Sequence, residues 1–264
     1  MREAPVSAPG LVPVLAPVLS IVVPLRDEAL NVDAVVDEVA RVLGAVYPAY
    51  ELILVDDGSH DDTFARVRRL QAADPDHLVA IRLTRNFGQS AAFTAGFAAA
   101  RAPFVATMDG DLQNDPADLP RLVALAATHD IVCGWRKDRK DAVLTRYVPS
   151  VAANALISLV TGVRLHDNGC SLKVFRAEVV KRLHLRPGMH RYLPAIAGQG
   201  GGRVTEVVVN HRPRQFGHSK YGLSRTFTVV GDLLHLHRLM REALVPPPPE
   251  APLYEVAERL GGGT

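Results

Sequence analysis

"YELILVDDGSHDDTFARVRRLQAA", residues 50–73, decides the fold. Leu52 to Val55 form an apolar run that stops abruptly at Asp56, Asp57 and Gly58. A short run of this kind, without polar alternation, reads as a strand buried on both faces, as in a parallel sheet. The residues from Asp61 onward read as a helix, and the acidic start suits the positive end of its dipole. The stretch is therefore one strand–turn–helix unit.

The same unit recurs on both sides. Upstream, "LSIVVPL" predicts a first strand from about Leu19 to Pro24, and "NVDAVVDEVARVLGAV" has helical spacing at Val32, Val35, Val36, Val39 and Leu43. Downstream, "HLVAIRLT", "PFVATMD" and "DIVCGW" read as strands, with "QSAAFTAGFAAARA" and "PADLPRLVALAATH" as the helices between them. This alternation predicts an α/β fold, a mostly parallel sheet flanked by helices on both faces. Farther on, a long apolar helix is expected at about residues 148–160. "HDNGCSLKVFR" reads as turn and strand, followed by helices at 177–183 and 192–197, the strand "RVTEVVVNHR" and a last helix through about Met240.

In such sheets ligands bind beyond the carboxyl ends of the strands. Those ends carry "PLRDE", "DDGS", "TRNFGQS", "DGDLQ" and "WRKDRKD". Asp109 and Asp111, two apart on an extended segment, can face one ion together. Paired carboxylates suit a hard cation that shares phosphate oxygens, and Gln113 could add a neutral oxygen. One of Asp56 and Asp57 is expected to enter the site, accepting from a base or ribose, while the other caps or turns. Gly88 at a helix start could present backbone N–H groups to an anion. Arg136, Lys137, Arg139, Lys140, Arg212, Arg214 and Lys220 could clamp phosphates, or form solvated charge runs. Trp135 reads as packing. His190, His211 and His218 lack metal-ligand spacing.

Composition sets limits. The chain has 264 residues, 48% of them hydrophobic, which is enough for one domain with a sizeable core. A net charge of +2 gives no global pull toward nucleic acid. Cys133 and Cys170 are read as reduced thiols outside any disulfide. The apolar leader carries Pro5, Pro9, Pro13 and Pro17, which argue against a helix. No run of about twenty uninterrupted apolar residues is present. The expected organisation is a leader (1–18), a main domain (19–222), an amphipathic helix (223–245) interrupted by Arg225, Asp232, His235, His237 and Arg238, and a Pro/Gly-rich tail (246–264).

Together "IVVPLRDEALNV", "LILVDDGSHDDT", "LTRNFGQSAAFTAGFAAA", "ATMDGDLQNDP", "HDNGCSLKVFR" and "RQFGHSKYG" resemble the family 2 glycosyltransferases. The closest resemblance is to the branch of dolichyl-phosphate mannosyltransferase and the bacterial polyprenyl-phosphate glycosyltransferases. It implies a GT-A fold and an inverting transfer of a hexose, mannose or glucose, from GDP-mannose or UDP-glucose to a polyprenyl phosphate. It implies that Pro24, Arg26, Glu28, Asp56, Asp57, Asn86, Gly88 and Asp109 surround the nucleotide sugar, with Asp57 and Glu28 favoured for base and ribose. Asp109, Asp111 and Gln113 would hold Mg²⁺ or Mn²⁺. Arg136, Arg212, Arg214, Ser219 and Lys220 would take the acceptor phosphate, and Asp167 would orient an acceptor arginine or act as a base. Many relatives continue into transmembrane helices after "SKYG". Here the amphipathic 223–245 segment suits peripheral attachment to the cytoplasmic membrane face or to a membrane partner. The alternatives are a soluble family 2 enzyme with a non-lipid acceptor, a nucleotidyltransferase, or an inactive binding module.

Overall fold

The computed structural model describes residues 16–137, 158, 161–198, 201–213 and 236–262. The expected 148–160 helix and most of the 223–245 segment lie outside these residues.

An eight-stranded sheet runs through the molecule in the order β7-β5-β6-β4-β1-β2-β3-β8. Its strands are β1 (Leu19–Leu25), β2 (Tyr50–Asp56), β3 (Leu78–Leu83), β4 (Phe104–Thr107), β5 (Ile131–Trp135), β6 (Lys173–Arg176), β7 (Val204–Val208) and β8 (Val256–Leu260). The first four pair in parallel. β6 lies antiparallel between β4 and β5, and β7 runs parallel to β5. The carboxyl ends of β1 to β5 therefore meet along one edge, as the sequence predicted.

Strand alternation splits the core into two faces. Ile21, Val23, Leu52 and Leu54 point toward α1 (Val32–Leu43), α2 (Thr63–Ala73) and α4 (Leu119–Ala126). Val22, Ile53, Val55 and Ile81 point toward α3 (Gln89–Ala99) and the 183–197 segment. α1 buries Val32, Val35, Val36, Val39 and Leu43, the residues its periodicity marked; each contributes about 1.5–3 kcal/mol. α3 is buried nearly all round, as its lack of a polar face requires. It sits so close on β1 that a Cβ at Gly96 would lie 2.2 Å from a Val22 methyl.

One expectation needs correcting. Within the expected Pro/Gly-rich tail (246–264), Val256–Leu260 forms β8, antiparallel to β3 at the sheet edge. Arg68 donates to Glu258 through Nε and Nη2 at 3.1 and 2.6 Å, and the Thr84 N–H donates to the Glu255 carbonyl at 3.0 Å. The cue was weak because the strand is only five residues long and the adjacent Glu258 and Arg259 break its apolar pattern. Both cysteines are buried free thiols. Burial pushes the Cys133 thiol up to about 12, so neither thiol has thiolate character at neutral pH.

Candidate functional site

The loops after β1 and β2 are bound to each other. Arg26 donates to the Asp57 carbonyl at 2.8 Å and to Asp27 at 3.2 Å. Asp27 takes a left-handed φ of 50°, its N–H donates to Ser59 Oγ at 2.9 Å, and its carboxylate accepts from the His60 N–H at 2.8 Å. The Glu28 N–H donates to Thr63 Oγ1, and its carboxylate accepts from Asn31 Nδ2 at 2.6 Å. Pro24, in register with Val55, brings β1 to the same level. Gly58, at φ +64°, packs against the loop after β3; a Cβ there would lie 2.5 Å from the Arg85 carbonyl carbon.

The adjacent acids divide their work as alternation requires. Asp56 is fully buried and accepts from the backbone and hydroxyl of Ser59, closing its own turn. Asp57 reaches across to the Phe87 and Gly88 N–H groups at 2.7 and 2.9 Å. Burial pushes both carboxyls up, against the hydrogen bonds each accepts. The anion facing the start of α3 in this structure is thus Asp57 itself, paired with the Gly88 N–H expected to face a ligand. Asn86 supports the same turn, its side-chain oxygen accepting from the Gly88 N–H at 3.0 Å.

Beyond β4 the chain makes a tight loop through Asp109, Gly110 and Asp111. Leu112, buried and at φ 63°, takes the left-handed turn that folds it back. Asp109 accepts from Gln89 Nε2 at 2.9 Å, and its N–H donates to Asn114 Oδ1 at 3.1 Å. Asp111, buried, accepts from the Gln113 N–H at 3.2 Å. Gln113 faces Arg212: its carbonyl accepts from the Arg212 N–H at 3.0 Å and its Nε2 donates to the Arg212 carbonyl at 3.3 Å. The loop offers oxygen donors only, two carboxylates with an amide beside them, which fits a hard divalent cation. Among the described residues no group of three or more His, Cys, Asp or Glu forms a metal cage.

On the other side, Arg136 leaves β5 and meets Asp167 in a bidentate pair, Nε to Oδ2 at 2.7 Å and Nη2 to Oδ1 at 3.0 Å. Burial alone would lower the guanidinium's pKa, but the Asp167 hydrogen bonds and charge outweigh it and raise it. A carboxylate held this way can orient the guanidinium, one of the two roles expected of Asp167. Next to it Trp135 stacks on His166, ring centroids 4.2 Å apart, and His166 pairs with Glu206, so Trp135 does more than fill space.

Arg212 has partners within the chain: its terminal nitrogens meet Glu38 at 2.6 Å and Asp115 at 2.7 Å, so it fastens the exit of β7 to α1 and to the segment after the Asp109–Asp111 loop. Arg214, Ser219 and Lys220 lie outside the described residues. Sequence reasoning missed Gln89, Asn114 and Ser171. Their only signal was closeness to marked residues, and the bonds that Gln89 and Ser171 make cross between segments.

A family model described as Glycosyl transferase family 2 matches residues 20–183. Dodecaprenyl-phosphate galacturonate synthase of Rhizobium johnstonii is 46% identical over 233 residues, covering 87% of this chain and 69% of that protein. Undecaprenyl-phosphate 4-deoxy-4-formamido-L-arabinose transferase of Yersinia pestis is 37% identical over 218 residues, covering 82% of this chain and 66% of that one. The chain thus spans about two thirds of the length of these relatives. Among solved structures, glucosyl-3-phosphoglycerate synthase of Mycobacterium tuberculosis, in complex with Mn²⁺, UDP and glucosyl-3-phosphoglycerate, superposes with a TM-score of 0.61 at 18% identity, covering 88% of this chain and 81% of that one.

Proposed function

The chain belongs to glycosyl transferase family 2 and is a glycosyltransferase of GT-A fold, and from that premise we propose that it transfers a sugar from a nucleotide diphosphate to a polyprenyl phosphate with inversion. The observation that carries this reading is the approach, on one sheet edge, of the Asp109–Asp111 loop to the Arg136–Asp167 pair, close enough for the Asp109 charge to act on the Arg136 guanidinium. The two relatives, both named for polyprenyl-phosphate sugars, support the acceptor class.

Asp109 and Asp111, with Gln113 beside them, would hold Mg²⁺ or Mn²⁺, which offsets charge on the departing diphosphate. Gln89 fixes the Asp109 carboxylate, and Asn114 fixes its backbone. Arg26 and Glu28, in the loop bound to the Asp57 turn, lie on the nucleotide side. Arg136 holds the acceptor phosphate in line, and Asp167 sets its direction. A phosphate monoester is already anionic near neutral pH, so attack on the anomeric carbon needs orientation rather than a strong base. The relatives' names carry galacturonate and a formamido-arabinose, so the donor panel extends beyond GDP-mannose and UDP-glucose to UDP-galacturonic acid.

No described helix is long and apolar enough to cross a membrane. We assign lipid access to the cytoplasmic membrane face through the region after residue 222, where the described helix Leu236–Glu242 carries Arg238 and Arg241 and leads to exposed Leu244 and Val245.

The test is turnover of a short polyprenyl phosphate with each donor, with Mg²⁺, Mn²⁺ or a chelator. Asp109→Asn and Asp111→Asn should each lower kcat/KM about 10²-fold or more, the scale for loss of a leaving-group electrostatic contact, at unchanged melting temperature. Wild-type turnover in both variants would sink the metal assignment. Donor hydrolysis without lipid product would point to a non-lipid acceptor.

A further inference from the structure

Asn114 is buried, 5% exposed, one residue beyond Gln113, and its side-chain oxygen accepts two hydrogen bonds. One comes from the Asp109 N–H at 3.1 Å, the other from Ser171 Oγ at 2.8 Å. Ser171 stands four positions after Asp167, on the segment that leads into β6. Its carbonyl accepts from Thr107 Oγ1 at 2.6 Å, two positions before Asp109. The Asn114 backbone also bridges His211, beside the Gln113–Arg212 contacts. A single residue thus touches the loop holding Asp109 and the segment holding Asp167 through its side chain, and the exit of β7 through its backbone.

We propose that Asn114 and Ser171 are positioning residues that set the Asp109 loop against the Asp167–Arg136 pair, so that metal and acceptor phosphate are held at a fixed separation. The inference rests on the reading of Asp109 and Asp111 as cation ligands. Physically, a carbonyl that accepts from both segments lets neither slide without breaking a buried bond, and a buried polar group left unpaired is costly. The Thr107 bond to the Ser171 backbone survives removal of the Ser171 hydroxyl, so that variant isolates the link through Asn114.

The experiment uses the full chain and measures Mn²⁺ affinity calorimetrically in the presence of UDP and, separately, GDP, together with KM for a short polyprenyl phosphate. The variants are Ser171→Ala, Ser171→Thr, Asn114→Ala and the Ser171→Ala/Asn114→Ala double. Ser171 is no cation ligand in this reading, yet Ser171→Ala should weaken Mn²⁺ binding about fivefold, the worth of one net hydrogen bond. Its acceptor KM should rise in parallel. Ser171→Thr, which keeps the hydroxyl, should restore both, and the double variant should lose little more than Asn114→Ala alone. Wild-type Mn²⁺ affinity in Ser171→Ala, or additive losses in the double variant, overturns the inference while leaving the donor site standing. A wild-type chain that binds no Mn²⁺ with either nucleotide overturns the donor-site reading and the inference with it.

Discussion

Asp167 gives both carboxylate oxygens to one guanidinium, and the two side chains are only 6% and 13% exposed. Planar bidentate pairing fixes direction as well as charge, so the guanidinium presents its remaining edge at a set angle. Asp167→Asn keeps the shape and removes the charge. Its expected outcome is an acceptor KM raised about tenfold or more, because removing one partner of a buried pair leaves the other uncompensated, with the acid limb of the pH–rate profile where it was. Displacement or loss of that limb would show that Asp167 accepts the proton. Asp115 supplies a pH effect on stability. Desolvation would raise its carboxyl, but bonds from Asn210, Arg212 and the Ala117 N–H outweigh it, so its pKa falls below the ordinary 3.8. Its contribution is therefore complete above pH 3.8 and lost as pH drops through the lowered value. Asp56 and Asp57 have raised values and so the opposite sign: they favour the folded state most at low pH, and acid unfolding does not run through them. An Asp115→Asn variant should show a flatter acid limb below about pH 4 in chemical-denaturation stability, with little change in that limb for Asp57→Asn.

Helix α3 shows what an element adds. It carries Gln89 to Asp109 at its first residue and packs Gly96 on Val22 two turns later, so its height above β1 sets where Gln89 reaches. Gly96→Ala puts a methyl inside the Val22 contact, and overpacking of this kind costs about 1–3 kcal/mol. The melting temperature should fall, and metal-dependent turnover should fall further than destabilisation alone explains; a variant with both unchanged would show that the helix can ride up freely. The strand–helix alternation was legible because buried parallel strands and amphipathic helices write their periods directly into the chain. The acids at the strand ends were legible for the same reason. Their individual duties were not. Whether Asp57 faces a nucleotide or the Phe87 N–H depends on how closely two loops approach, and Gly58 permits an approach that no local pattern encodes. Arg212 reads as a free cation until Glu38, far away in sequence, lies beside it. Glu51 carries no motif, yet it is fully buried between Ser20 and Arg101 at the strand-start end of β2, a structural acid away from the site.

At the scale of the whole molecule, the sheet is a run of parallel strands flanked by two antiparallel ones, β6 inside and β8 at the margin. β8 covers the edge of β3, which would otherwise present unpaired backbone groups to any passing chain. Removing residues 253–264 should lower the melting temperature and make the protein aggregate on heating, read by light scattering; an equally stable, monodisperse truncation would show that β3 tolerates exposure. The order in which the polypeptide is made gives this strand a further meaning. Roughly 170 residues separate β3 from β8, which covers its outer edge, and at about 5–20 residues per second a ribosome needs some ten to thirty seconds to add them. During that interval the nascent N-terminal half carries an open flank, which closes only when β8 arrives.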